Sequence, residues 1–386
     1  MNVYFRPRAA VALVGCCAFM DLYSPQALLP MLAREFNAGV TDVGLLISAT
    51  SFAVALIAPF SGTVADVLGR KRVITSAMFV LVIPMTLIGL AADLHAMIFW
   101  RFMQGLLLPP IFAVTIAYVS EEFGSAEAVT VTGIFTSGSA IGGFLGRFLT
   151  GVLTEALGWR SAFLILAALT LLCAAGVVVL LPRERRFVRA ENLGRSFRQM
   201  LRHLRNRRLL GTYGIGFSVL FSFIATFTFV NFRLAAPPFN LSTAALGSIF
   251  VTYLLSAAVT PWIGHAVQRL GRRRIAFVTV TIWVAGVLLT LAPSLIAIII
   301  GLALAAACGT TYQTMSTSFV AQTAGEGRSA AVGLYVTSFY LGGSVGGVLP
   351  GLTWTYAGYP GAVAMVLVIL TFVALMAGLY WPAKVQ

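Results

Sequence analysis

Long apolar blocks alternate with short polar stretches along the whole chain, and the charged residues collect in the polar stretches rather than at every helical turn. The blocks fall at about 9–32, 43–64, 73–92, 95–118, 129–152, 159–181, 209–232, 243–265, 275–292, 295–320, 328–350 and 360–381. A helix rising about 1.5 Å per residue needs roughly 20 apolar residues to cross roughly 30 Å of hydrocarbon. The blocks meet that length, so the pattern predicts an all-α membrane protein with twelve transmembrane helices. The first block has only Arg6 and Arg8 before it and no convincing cleavage site, which reads as a retained helix rather than a removed signal peptide.

The blocks also repeat. Gly133, Gly142, Gly143, Gly146, Gly151 and Gly158 recur two hundred positions later as Gly333, Gly342, Gly343, Gly346, Gly351 and Gly358. The basic stretch after the second block, Gly62 to Arg72, returns as Gly264 to Arg274 with Gln268 in place of Asp66. Two pseudo-symmetric six-helix bundles are therefore expected, 1–181 and 209–386, joined by a basic linker over 182–208. Repeated halves are the ground plan of many secondary transporters, with the substrate site near mid-membrane, although channels also duplicate.

Composition removes the competing classes. Hydrophobic residues make up 59% of 386 positions and charged residues only 10%, with a mean hydropathy of +0.93. A soluble domain carries roughly a quarter of its residues charged. The net charge of +14 does not mark a nucleic-acid groove: of 26 Lys and Arg, 21 fall on one set of alternate inter-block stretches and the termini, against three, Arg34, Arg160 and Arg233, on the other. The positive-inside rule then places both termini in the cytoplasm. The linker would form either an amphipathic helix on anionic lipid or a solvated connection. Cys16, Cys17, Cys173 and Cys308 lie in apolar blocks without metal-ligand spacing. His95, His203 and His265 are dispersed, Ser137 and Ser139 lack a visible base, and neither a phosphate-cradling loop nor an ATP-binding domain is apparent. The expectation is a carrier without a cofactor, driven by a gradient, and not an enzyme.

Asp21, Arg101 and Arg147 are the ionisable residues well inside the blocks, where an unpaired charge costs several kcal/mol. Pro25 cannot donate a backbone hydrogen bond to the carbonyl of Asp21, and Pro30 likewise fails Gln26, so the first helix should break beside the acid. Pro109 and Pro110 are expected to break the fourth span. Asp21 would alternate between a charged form paired with Arg101 or Arg147 and a protonated form, or would form a static ion pair that holds helices together. Candidates for the wall of a substrate cavity are Tyr23, Gln26, Gln104, Tyr118, Phe221, Asn231, Tyr312, Gln313 and Tyr340. An aromatic cavity with one acid suits an apolar or cationic solute, and two arginines suit an anionic or sugar-like one. The residues alone do not choose.

Gly62, Asp66, Gly69, Arg70, Lys71 and Arg72 resemble the signature between the second and third helices of the major facilitator superfamily. That resemblance implies a conformational latch in which Asp66 pairs with basic groups and helix ends of its own half. Arg101 followed by Gln104-Gly105 is similar to the family's fourth-helix pattern. Gly138, Gly142, Gly146 and Gly151 look like the glycine run of its drug:proton antiporters, with Arg147 where that motif has proline. Glycines four apart let another helix backbone approach closely, as Gly342 and Gly346 would in the second half. Within the superfamily the chain resembles bacterial inner-membrane drug or sugar efflux proteins of the twelve-helix group. The function so implied is proton-coupled export of a small solute by alternating access, with proton symport or facilitated uptake as the alternative. Protons, the solute and membrane lipid are the expected partners, and a monomer suffices.

Overall fold

Where the sequence interrupts its apolar blocks with glycine in a left-handed or extended conformation, helices end. The computed structural model describes residues 5–184, 200–325 and 327–382, with the side chains of 62–64, 66, 67, 125, 126, 255–261 and 329 outside that description. The helices are α1 (Phe5–Tyr23), α2 (Leu29–Glu35), α3 (Val40–Leu68), α4 (Arg70–Gly89), α5 (Leu94–Glu122), α6 (Ser125–Leu157), α7 (Trp159–Leu180), α8 (Arg207–Leu234), α9 (Thr243–Ile249), α10 (Thr252–Leu270), α11 (Arg272–Leu289), α12 (Leu295–Thr323) and α13 (Arg328–Tyr380). Gly69 and Gly271, with φ of 92° and 82°, separate α3 from α4 and α10 from α11. Gly158 separates α6 from α7 at φ 83°, and its repeat partner Gly358 interrupts α13 at φ 60° and ψ −146°. The sequence repeat is thus a repeat of backbone breaks, at positions where a side chain would be strained.

Among the described residues nine helical stretches are long and apolar enough to cross a bilayer. The last of them, Ala330–Tyr380, is 51 residues long, more than twice the roughly 20 residues that one crossing requires. The expected span 243–265 consists of two helices, α9 and α10, joined at Phe250 and Val251. The break expected at Pro109 and Pro110 is absent: α5 stays helical through both. Proline's fixed φ is itself helical, so consecutive prolines remove hydrogen bonds without forcing a turn, and neighbouring helices hold the backbone.

Two units emerge from the chain's internal contacts. One gathers Met1–Phe36, Ala49–Leu193 and Ser242–Phe250; the other gathers Asn37–Ser48, Gly194–Leu241 and Val251–Gln386. In the first unit α6 lies against α1, and a Cβ added at Gly138, Gly142 or Gly146 would run into the carbonyl oxygens of Ala12, Cys16 and Met20 respectively. In the second unit Gly342 and Gly346 meet the carbonyls of Phe217 and Phe221 in the same way, and Ser338 donates to the carbonyl of Tyr213 at 2.8 Å. Gly151 abuts Thr243, and Gly351 abuts Thr41. Both glycine stripes bring a neighbouring helix to backbone contact, where packing drives helix association in lipid.

Candidate functional site

Helix α1 stops at Tyr23 because Pro25 has no N–H, and the chain passes through Ser24 and a 3₁₀ turn, Gln26–Leu28, before resuming as α2. The carbonyls this frees are taken up by side chains from other helices. The Asp21 carbonyl accepts from Ser24 Oγ at 3.0 Å, Arg101 Nη1 at 3.0 Å and Gln104 Nε2 at 3.1 Å. Arg101 Nη2 donates to the Leu22 carbonyl at 2.6 Å, and Nη1 also donates to Gln104 Oε1. Thr150 Oγ1 donates to the Ser24 carbonyl at 2.7 Å, and Thr50 Oγ1 to the Arg101 carbonyl at 3.0 Å. The break is thereby bound to α5 and α6, and α5 in turn to α3, which satisfies backbone that hydrocarbon could not.

The Asp21 carboxylate points elsewhere. Thr170 Oγ1 on α7 lies 3.1 and 2.9 Å from its two oxygens, and Cys17 Sγ lies 4.0 Å away. Arg101 also engages the main-chain carbonyl of the same residue. Thr170 Oγ1 is also 2.9 Å from the Leu166 carbonyl. A hydroxyl has one hydrogen and two lone pairs, so this geometry complements both forms of the acid. Thr170 donates to an ionised Asp21; when Asp21 is protonated, the acid donates to Thr170 and the threonine hydrogen turns to Leu166.

Arg147 occupies the other side of the break. Its Nε donates to Gln26 Oε1 at 2.8 Å and its Nη1 to the Gly143 carbonyl at 2.5 Å. The guanidinium carbon lies 4.1 Å from the Tyr23 ring centroid and 4.5 Å from that of Phe250. Asp21, Gln26, Arg101, Gln104 and Arg147 are each 0% exposed, so the whole constellation is removed from solvent. Of the cavity candidates, Tyr23, Gln26 and Gln104 converge here.

Of the others, Tyr118 belongs to the same unit, and Phe221, Asn231, Tyr312, Gln313 and Tyr340 belong to the second unit. Tyr118 donates to the Pro182 carbonyl at 3.3 Å, near the far end of α5. Phe221 stacks on Phe217 with centroids 6.4 Å apart. Tyr312 donates to the Ala276 carbonyl at 2.7 Å and lies on Trp381, Gln313 is exposed, and Tyr340 meets Phe339 edge-on. Asn231 is buried near the end of α8.

The side chain of Asp66 lies outside the described residues. Its neighbours pin helix ends of their own unit: Arg70 donates to Glu121 at 2.6 and 3.1 Å, and Lys71 Nζ to the Val178 carbonyl at 2.9 Å. The backbone N–H of Lys71 donates to Glu184 at 3.4 Å, while Arg72 is exposed. In the second unit Arg272 donates to Gln322 at 3.0 Å, so glutamine stands where the first half has Glu121. Sequence reading missed Thr170, Thr150 and Phe250, whose types are ordinary in membrane helices and which only the fold brings to the break.

Long apolar helices carrying few, clustered charges around a broken helix are the features of a polytopic membrane protein. The family model of the Major Facilitator Superfamily matches residues 11–236 and 215–386, and the chain belongs to that family. It is 30% identical over 383 residues to the inner membrane transport protein YnfM of Escherichia coli (strain K12), covering 97% of this chain and 90% of that one. It is 29% identical over 364 residues to the uncharacterized MFS-type transporter YybF of Bacillus subtilis (strain 168), covering 94% and 89%. Solved structures share the fold at low identity. A bacterial homolog of the human lysosomal transporter Spinster, inward-facing and unoccupied, superposes with a TM-score of 0.78 at 15% identity, covering 99% and 98% of the two chains. The nucleoside transporter NupG gives 0.79 at 15%, covering 97% and 98%. The protein is thus a multi-pass membrane carrier that moves small molecules.

Proposed function

We propose that this carrier exports a small organic solute, drug-like or sugar-like, in exchange for protons by alternating access. It does so as a monomer of twelve transmembrane helices in two six-helix bundles, 1–181 and 209–386, with both termini and the 182–208 linker cytoplasmic. Asp21 carries the proton, and Tyr23, Gln26 and Gln104 line the solute's path in the first bundle. Arg70 and Lys71, with Asp66, act as the latch on the cytoplasmic side.

The observation that carries this reading is the Asp21–Thr170 pair. Asp21 is the one carboxylate in the apolar blocks, and Thr170 complements it in both protonation states without moving a heavy atom. A proton can therefore arrive and leave inside the membrane while the acid keeps a hydrogen-bond partner in both states. Differential binding of proton and solute to two conformations then couples their movements.

Proteoliposomes with an imposed pH gradient distinguish antiport from symport. An antiporter accumulates solute in vesicles that are acid inside, because protons leaving drive solute in. Accumulation in vesicles that are alkaline inside would instead establish symport and uptake. Saturable flux that ignores the gradient in both directions would reduce the protein to a facilitator.

A further inference from the structure

We propose that the second unit, at the membrane edge where α11 begins, binds the phosphate of an anionic phospholipid headgroup, with Arg272 as its anchor. The two halves of the chain differ here by one hydrogen-bond acceptor. In the first unit Arg70 presents the Nε and Nη2 edge of its guanidinium to both oxygens of Glu121, at 3.1 and 2.6 Å. In the second unit Arg272 turns the same edge to Gln322, which corresponds to Glu121 in the repeat. Nη2 donates to Gln322 Oε1 at 3.0 Å, whereas Nε is buried and meets no acceptor among the described residues. A carboxamide has one oxygen where a carboxylate has two, and the Gln322 amide nitrogen donates to Ser318 Oγ at 3.3 Å.

The repeat withholds a second acid at the same place. Glu184 accepts from the backbone N–H of Lys71 in the first unit. Pro182 recurs as Pro382, so the counterpart of Glu184 is Lys384, a base outside the described residues. Beyond residue 208 the sequence has one acid, Glu326, also outside them, while Arg269, Arg273 and Arg274 flank Arg272 along the chain. A buried N–H without an acceptor costs free energy that an incoming anion recovers, and phosphate matches the guanidinium edge in bidentate fashion. Gln322 is exposed, so its amide can yield that edge to a phosphate oxygen.

What surrounds the guanidinium favours a lipid over a soluble phosphate. Arg272 lies over the Phe319 ring at 4.8 Å, and Arg273 over the Phe277 ring at 5.9 Å. Phe277, Val278 and Ile282 are exposed along α11, in the apolar block 275–292 that starts directly after the basic turn. Acyl chains thus find an apolar face next to the groups that hold the headgroup. Basic side chains at the edge of a membrane helix attract anionic headgroups, and the apolar stems of arginines lie along such a surface while their heads reach the interface.

The test is native mass spectrometry of the purified full chain in detergent, titrated with phosphatidylglycerol or phosphatidylcholine. Phosphatidylglycerol should bind about tenfold more tightly. Arg272→Gln should weaken it about thirtyfold or more, through lost charge and lost hydrogen bonds together. Gln322→Glu, which gives Arg272 the partner that Arg70 has, should weaken it as much without lowering the unfolding temperature, so the test stands even where Arg272→Gln folds poorly. Arg274→Gln removes the same charge from an exposed side chain and should cost at most about fivefold. Equal binding of the two lipids, a loss in Arg272→Gln no larger than in Arg274→Gln, or unchanged binding in Gln322→Glu would each overturn the proposal. A tenfold or larger gain in Glu326→Gln would do the same, by showing that this acid already answers Arg272. Inorganic phosphate that displaces phosphatidylglycerol at equal concentration would assign the site to a soluble anion and overturn the lipid.

Discussion

At the scale of single residues, the proposed proton handling rests on Asp21 and Thr170. Replacing Thr170 by valine leaves a buried acid without its hydroxyl, a loss of about 1–3 kcal/mol in this kind of setting. Thr170→Val should therefore lower the thermal unfolding temperature and displace the pH profile of transport, while Thr170→Ser should overlay the parent profile. Superimposable profiles for valine and parent would count against the hydroxyl's part in proton handling. The acid was legible in the sequence because a lone carboxylate in an apolar block demands explanation. Its partner was not, since threonine at 170 looks like any other small residue of a membrane helix, most of which bond back to their own helix. Arg101 was legible as a neighbour of Asp21, whereas its bond to the carbonyl that Pro25 leaves unserved emerges only from the fold.

Among elements, the glycine stripes decide how closely helices pack. A methyl group at Gly142 would enter the space of the Cys16 carbonyl, whereas one at Gly133 meets nothing within 4 Å. Overpacking of this kind costs about 1–3 kcal/mol, so Gly142→Ala should unfold at lower temperature than the parent, and Gly342→Ala likewise through Phe217. Gly133→Ala should lie within about 0.5 kcal/mol of the parent. Equal unfolding temperatures for the alanine variants at 133 and 142 would contradict the backbone contact. Glycine spacing reveals such stripes in sequence because only glycine permits the approach. Proline proved less readable: Pro25 coincides with a break stitched by Arg101, Gln104 and Thr150, whereas Pro109 and Pro110 sit in an unbroken helix. The side chains that stitch the break at Pro25 come from distant parts of the chain.

Over the whole molecule, the halves share a backbone plan and differ in charge. Gly69 matches Gly271 and Gly158 matches Gly358 as breaks, yet in the repeat Asp21 corresponds to Ser222, Arg101 to Leu302, and Glu121 to Gln322. The repeat was readable because both glycine positions and basic loops recur; where helices split or fuse was not, since α9 and α10 part at Phe250 within one apolar block. On the proposed function, the asymmetry assigns proton handling to the first half. Gln322→Glu, which restores an acid opposite Arg272, should leave proton coupling unaltered while adding a surface ion pair of about 1 kcal/mol or less, readable as a small rise in unfolding temperature. The most direct measurement is solute accumulation by proteoliposomes carrying Asp21→Asn, with and without a pH gradient. The expected result is that solute exchange across the bilayer persists in the folded variant while gradient-driven accumulation disappears. Accumulation as strong as in the parent would contradict the assignment of the proton to Asp21.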